Sequence, residues 1–239
     1  MAIPALQLQS ACKTFNAGQW NEVKAVRDVS MVFEWGESVL VIGENGSGKS
    51  TLLNLVDGTV DLTAGSVSMS GTDVSTWPVY RRYRHIHRVH QDPSQGMAPY
   101  GTVAENLAVL GLENTSLFDV DRLADQADMT HFARTIAVIN PDLETKLERK
   151  VYLLSPGQRQ AVALAMLALR DGGQRILLAD EPTAALDPRT AQTCLSLIDQ
   201  KAKSGWLVLH VTHNSAIIDA NRGRVVTMCE GEVSSDVYT

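Results

Sequence analysis

An α/β fold is predicted by three stretches of this chain, each a short apolar run that reads as a buried strand and leads into chemistry-bearing residues. The first, Ser38-Val39-Leu40-Val41-Ile42, enters a glycine-rich loop and then Thr51-Leu52-Leu53-Asn54-Leu55-Val56, whose apolar spacing suits a helix. The second, Arg175-Ile176-Leu177-Leu178-Ala179-Asp180-Glu181, ends in two carboxylates, and the third, Trp206 to His213, ends in a histidine. The chain has 239 residues, enough for one large α/β domain or a core with a smaller lobe, more readily than for two independent domains. Its 44% apolar and 20% charged content is that of an ordinary globular protein.

The loop Gly43-Glu44-Asn45-Gly46-Ser47-Gly48-Lys49-Ser50 fits the pattern G-x-x-x-x-G-K-[ST]. Its glycines let backbone N–H groups close around phosphates, its lysine reaches the β- and γ-phosphates, and its last hydroxyl holds Mg²⁺. A strand, a loop and a helix N-terminus in that order form an anion site, because free N–H groups and the positive end of the helix dipole converge there. Lys49 and Ser50 are therefore read as ligands of a nucleoside triphosphate and its Mg²⁺.

The formal charge of −6 argues against binding nucleic acid through net positive charge, and no nucleic-acid partner is expected. No run of about 18 apolar residues exists, so no membrane span is expected, and Met1 to Gln9 lack the pattern of a secretory signal. Cys12, Cys194 and Cys229 are few and far apart, as expected of core thiols in a reducing cytosol.

In chain order, Leu6 to Ser10, Val29 to Phe33 and Ser66 to Ser70 alternate or run apolar like strands. Phe15, after the first of them, reads either as a core residue or as a surface on which a base stacks. The run Arg81 to Pro93 is basic, with tyrosine and histidine interleaved, and reads as a strand with a solvated basic face that ends at Gln91-Asp92-Pro93. Thr102-x-x-Glu105 is a capping-box pattern that starts a helix, and further helix is expected over about 119 to 139 before the break at Asn140-Pro141. Leu154-Ser155-Pro156-Gly157-Gln158 places a hydroxyl, a proline and an unhindered backbone at the start of another helix. Beside a phosphate-binding loop, Asp180 is expected to hold the Mg²⁺ shell and Glu181 to orient or polarise the attacking water. Ala185-Leu186-Asp187-Pro188 marks a turn before a helix from about Arg189 to Ser204, and 224–228 and 231–233 look like edge strands.

The ordered set of Phe15, Gly43 to Ser50, Gln91, Leu154 to Gln158, Asp180-Glu181, Asp187 and His213 resembles the nucleotide-binding subunit of an ABC transporter, over nearly the whole chain. The resemblance implies an α/β P-loop NTPase with a RecA-like core, an N-terminal antiparallel β subdomain and an inserted α-helical subdomain. It describes 1–239 as a single ATP-binding domain, with 1–92 and 163–239 forming the β lobe and core and 93–162 the helical part. Phe15 becomes the adenine platform, and Gly43, Glu44, Asn45, Gly46, Ser47, Gly48, Lys49, Ser50 and Thr51 the ATP-binding loop. Ser50, Gln91 and Asp180 are assigned to Mg²⁺, and Glu181, His213 and Gln91 to catalysis. Ser155, Gly157 and Gln158 of the signature motif, with Asp187 of the D-loop, contact nucleotide held by a second copy in a head-to-tail dimer. The motif departs from Leu-Ser-Gly-Gly-Gln, because Pro156 replaces the first glycine and removes a backbone donor.

Within that family, Gln91-Asp92-Pro93-x-x-Gly96-x-Ala98-Pro99 followed by Thr102-x-x-Glu105-Asn106 is similar to importer ATPases of the tryptophan/tyrosine type, although His90 stands where that group usually has an aromatic. The resemblance thus implies an ATPase on the cytoplasmic face of the cell membrane, bound to a permease subunit and serving a solute-binding protein. Export, lipid or lipoprotein extraction and a soluble DNA-repair role are the alternatives; the last calls for a long coiled-coil insert, and no sustained heptads occur here.

Overall fold

Among the described residues, strands form two sheets of different character. The structure is a computed structural model that describes residues 3–92, 94–109, 126–170, 172–184, 186–221 and 223–238. One sheet is antiparallel, with β1 (Leu6–Phe15), β2 (Val23–Phe33), β4 (Ala64–Met69) and β5 (Thr72–Asp73) in the order β2-β1-β4-β5. In β1 the buried Leu6 and Leu8 alternate with the less buried Gln7 and Gln9, the period-2 pattern of a strand with one face on the core.

The other sheet takes β3 (Ser38–Ile42), β6 (Ile86–Val89), β7 (Ile176–Asp180), β8 (Leu207–Val211), β9 (Arg224–Cys229) and β10 (Glu232–Tyr238) in the order β10-β9-β3-β8-β7-β6. β9, β3, β8 and β7 pair in parallel, and β10 adds antiparallel to β9. β7 and β8 are buried at every residue, which is why they read as unbroken apolar runs rather than alternating ones. Helix α1 (Lys49–Asp57) buries Leu52, Leu53, Leu55 and Val56 in a core shared with Val39 and Val41 of β3 and Leu207 and Leu209 of β8.

The chain divides into two compact units. The first comprises Met1–Arg88, Gln174–Glu181 and Asp199–Thr239, and the second Val89–Gly173 and Pro182–Ile198. Both sheets belong essentially to the first, together with α1, the short α2 (Val79–Arg82) and α7 (Ser215–Ala220). The second is helical. Its α5 (Pro156–Leu169) packs against α3 (Val103–Ala108) and α4 (Gln126–Ile139), around Val103, Leu107, Phe132, Ile136 and Leu164. α6 (Pro188–Lys203) starts in the second unit and ends in the first. The part of the helix expected from about 119 that precedes Gln126 lies outside the described residues.

Three sequence expectations are corrected. The basic run holds only a four-residue strand preceded by a turn of helix, and two of its arginines are inside: Arg82 is 2% exposed and the Arg88 side chain 6%. Arg82 donates to the carbonyls of Leu55 and Val56 at the end of α1, a buried set of acceptors that a charge pattern does not reveal. The stretch 224–229 is no edge strand, since β9 lies between β3 and β10. Of the three thiols only Cys194 is buried, while Cys229 is exposed.

Candidate active site

The loop between β3 and α1 is shaped by close backbone approaches on both sides. Gly43 has φ +145° and a Cβ there would stand 2.2 Å from the Met228 carbonyl; Gly48 has φ +101° and a Cβ there would stand 2.2 Å from the Ala25 carbonyl. Any side chain at either position would push the loop off its seat on β9 and β2. Gly231 N–H further ties the loop by donating to the Ser47 carbonyl at 3.0 Å. Glu44, Asn45 and Gly46 remain exposed at the tip.

Lys49, the first residue of α1, is 6% exposed and donates from Nζ to the carbonyls of Gly43 (2.8 Å) and Glu44 (2.7 Å), with Ser47 Oγ at 3.4 Å. Burial pushes its ammonium below the ordinary lysine range, and the charges of Glu181 and Asp180 work against that. Ser50 is exposed and its Oγ reaches Asp180 Oδ1 at 3.5 Å. Thr51, one residue on, is half-buried.

Asp180 ends β7 and is 6% exposed, with Oδ2 facing the Arg88 guanidinium at 3.4 Å. Glu181 follows in the left-handed region at φ +48°, held there by its N–H donating to the Val211 carbonyl at 3.0 Å. Such a conformation costs a non-glycine residue about 1–3 kcal/mol and persists only where neighbours over-determine it. It turns the carboxylate out of the strand direction toward His213, whose Nε2 lies 3.5 Å from Oε1. Oε1 is buried without a hydrogen-bond partner among the described residues. Burial raises the Glu181 carboxyl above the usual range, His213 opposes that, and Asp180 adds to it. His213 lies two residues beyond the end of β8.

The first unit therefore gathers Lys49, Ser50, Asp180, Glu181 and His213, three cationic or donor groups and two carboxylates around one loop. The oxygens of Ser50 and Asp180 are hard donors within one short span, a set that suits Mg²⁺. Phe15 closes β1 opposite Val23, with 36% of its surface exposed and Lys13 Nζ 5.0 Å from its ring centroid, so it is less a core residue than a sequence reading allowed.

The other candidates lie in the second unit. Gln91 is exposed two residues past β6. Ser155 is the N-cap of α5: its Oγ accepts from Gln158 N–H at 3.3 Å and Gln158 Oε1 accepts from Ser155 N–H at 3.2 Å. Pro156 occupies the first helical position, where its fixed φ is already helical, and Gly157 is half-buried. Asp187 accepts from the N–H groups of Arg189 and Thr190 and from the Thr190 hydroxyl at 2.7 Å, bonds that hold its carboxyl below the usual range. Sequence reasoning missed Arg88, which sat inside a run read as solvated.

The sequence model of the family described as ABC transporter matches residues 26–184. The chain belongs to the ABC transporter ATPase family. This cassette is 34% identical to the tyrosine transport ATP-binding protein of Clostridioides difficile, over 97% of its own length and 91% of the relative's. It is 31% identical to the macrolide export ATP-binding/permease protein MacB of Brucella melitensis, of whose length it spans 34%. Its fold is similar to the dimeric structure of MJ0796, a bacterial ABC transporter cassette, with a TM-score of 0.80, 25% identity and 98% of each chain covered. The cassette is thus the ATP-binding subunit of an ABC transporter and an ATPase. Among the described residues no helix is long and apolar enough to cross a membrane.

Proposed function

We propose that the cassette hydrolyses ATP with Mg²⁺ to drive import of a small, amino-acid-like solute through a membrane permease at the cytoplasmic face. The observation that carries the chemistry is the meeting of Lys49, Ser50, Asp180 and Glu181 at one loop. Backbone N–H groups of the loop and Lys49 bind the phosphates, and Lys49 neutralises charge that develops on them. Ser50 and Asp180 are the residues of the first unit that would hold Mg²⁺, which supplies further charge neutralisation when bound. Glu181, held by its backbone bond to β8 and faced by His213, orients the attacking water and draws its proton. Phe15 offers a half-open π face to the adenine.

Ser155 keeps a hydroxyl proton to donate even while its oxygen caps α5, so it and the N–H of Gly157 suit the γ-phosphate of nucleotide bound by a second copy. This makes the working form a head-to-tail dimer, with Asp187 close to the same phosphates, and the dimeric likeness of MJ0796 supports it. The amino-acid-like cargo rests on the likeness to the tyrosine transport protein, which runs almost end to end in both chains. A solute-binding protein belongs to this import reading. An export reading rests on the likeness to MacB, which reaches only a third of that protein.

Lys49→Ala in cells carrying the complete transporter separates the two directions. Import predicts lost uptake of labelled aromatic amino acids, whereas export predicts normal uptake and a rise in the intracellular level of the transported compound. For the chemistry, purified Glu181→Gln chain is expected to bind ATP and not turn it over; wild-type turnover by this variant would remove Glu181 from its role.

A further inference from the structure

Arg88, in β6, has a side chain only 6% exposed, and its guanidinium joins two carboxylates that lie far apart in sequence. Nη1 donates to Asp57 Oδ2, and Nη2 lies 3.4 Å from Asp180 Oδ2. Asp57 is the last residue of α1, fully buried, and its other oxygen accepts from Thr59 N–H at 2.8 Å and Thr59 Oγ1 at 2.7 Å. Asp180 divides its oxygens in the same way, Oδ2 to Arg88 and Oδ1 to Ser50 Oγ at 3.5 Å. One planar cation therefore links the far end of the phosphate-loop helix to the carboxylate beside its near end.

We propose that Arg88 is a positioning residue for Asp180: by pinning Oδ2 it aims Oδ1 at the Ser50 hydroxyl and at the divalent cation those two oxygens hold. The inference rests on the reading of Ser50 and Asp180 as the cation's residues. A carboxylate next to solvent has two equivalent oxygens and a free χ2 rotation; a guanidinium anchored on a second, immobile carboxylate removes that freedom. Asp57 is well suited to be the anchor, because Thr59 and Arg88 between them engage both of its oxygens. Arg88 Nε is buried without a hydrogen-bond partner among the described residues, and the guanidinium's ion pairs there go to these two acids. Lysine, with a single point of charge, cannot bridge both carboxylates in this way. Groups that orient a metal's ligands from behind are worth about 10–100-fold in metal affinity.

The test uses the full chain with Glu181→Gln, so that bound nucleotide survives, and a fluorescent ATP analogue titrated first in EDTA and then against MgCl₂. Arg88→Met is expected to leave affinity in EDTA within about twofold and to raise the Mg²⁺ concentration needed for half-maximal tightening by about tenfold or more. Arg88→Lys should recover part of that shift. If Arg88→Met alone does not fold, as judged by circular dichroism, the double variant Asp57→Asn/Arg88→Gln carries the measurement, since it leaves a neutral pair of similar size. An unchanged or lowered Mg²⁺ requirement overturns the proposal, as does an equal loss of affinity with and without Mg²⁺, which is the mark of a purely structural role. Asp180→Asn distinguishes the two layers: if it also leaves the Mg²⁺ requirement unchanged, the assignment of Asp180 fails, and if it raises that requirement while Arg88→Met does not, only the role of Arg88 fails.

Discussion

In the first unit Lys49, Asp180 and Glu181 are buried or half-buried and tied to their neighbours, whereas in the second Ser155 and Asp187 stand exposed at helix starts and Gln91 is exposed past β6. Lys49 and Asp180 are each 6% exposed, and Glu181 keeps one oxygen buried, whereas Gln91, Ser155 and Asp187 face solvent. The difference separates two kinds of site. A buried, crowded loop with opposed charges has its electrostatics set in advance, and in it burial together with neighbouring charges shifts the proton affinities of Lys49 and Glu181. An exposed N-cap with a satisfied capping box is rigid, and on the proposed reading it meets a ligand that another molecule brings.

The largest effect expected from breaking this contrast is on the buried side. Glu181→Gln should lower steady-state ATP hydrolysis by about 10²–10⁴-fold while ATP still binds, because the amide keeps the shape and cannot accept the proton. The same carboxyl gives a pH signature. Its proton affinity is raised by burial, so the acid limb of the rate profile should lie above the ordinary value of 4.5, with activity lost as pH falls through it. A limb at or below that value would mean that Glu181 is not the titrating group.

Ser155→Ala should act differently, losing about 1 kcal/mol of cap stability and most hydrolysis while ATP affinity of the separate chain stays the same. A fall in that affinity would place Ser155 in its own chain's site. A smaller effect is expected for Pro156→Gly, a modest gain in ATP-dependent association in the Glu181→Gln background, from one added backbone donor. Equal or weaker association on sedimentation in ATP would show that the missing N–H does not face the phosphate.

Much of this contrast was legible in the sequence, for physical reasons. Strands buried on both faces appear as unbroken apolar runs, so β3, β7 and β8 and the residues at their ends could be placed from pattern alone. The capping box of α3 was equally plain, because its reciprocal bonds need particular residues at fixed spacing, while for α5 the sequence showed a helix start at Ser155-Pro156-Gly157 and the structure added the reciprocal bonds with Gln158. Tertiary pairing was not legible. Nothing local marks Arg82 and Arg88 as buried, since their partners are the end of α1 and Asp57 and Asp180, which come from other parts of the chain. The place of β9 beside β3 is likewise a matter of sheet order, and the positive φ of Glu181 is imposed by Val211 across the sheet.

His210 offers the most local check on the buried unit. It lies in β8, 6% exposed, with Nε2 lacking a hydrogen-bond partner among the described residues, and burial pushes its pKa down to about 4. The unfolded chain takes up its proton near 6.5, so this residue's share of stability is complete above that pH and is lost as pH falls from 6.5 toward about 4. The total is on the order of 3 kcal/mol. His210→Leu should flatten thermal stability over that window; an unaltered slope would mean that the ring is protonated equally easily in both states.

The central claim is that the buried loop of one chain and the exposed cap of another make a single hydrolytic site, and mixing two damaged chains tests it most directly. Lys49→Ala lacks the loop cation and Ser155→Ala lacks the cap hydroxyl, so each alone should be nearly inactive in single-turnover ATP hydrolysis. Mixed in equal amounts with ATP and Mg²⁺, they form dimers in which one site joins an intact Lys49 to an intact Ser155. The account predicts activity well above the sum of the two separate preparations, and a rate equal to that sum would contradict it.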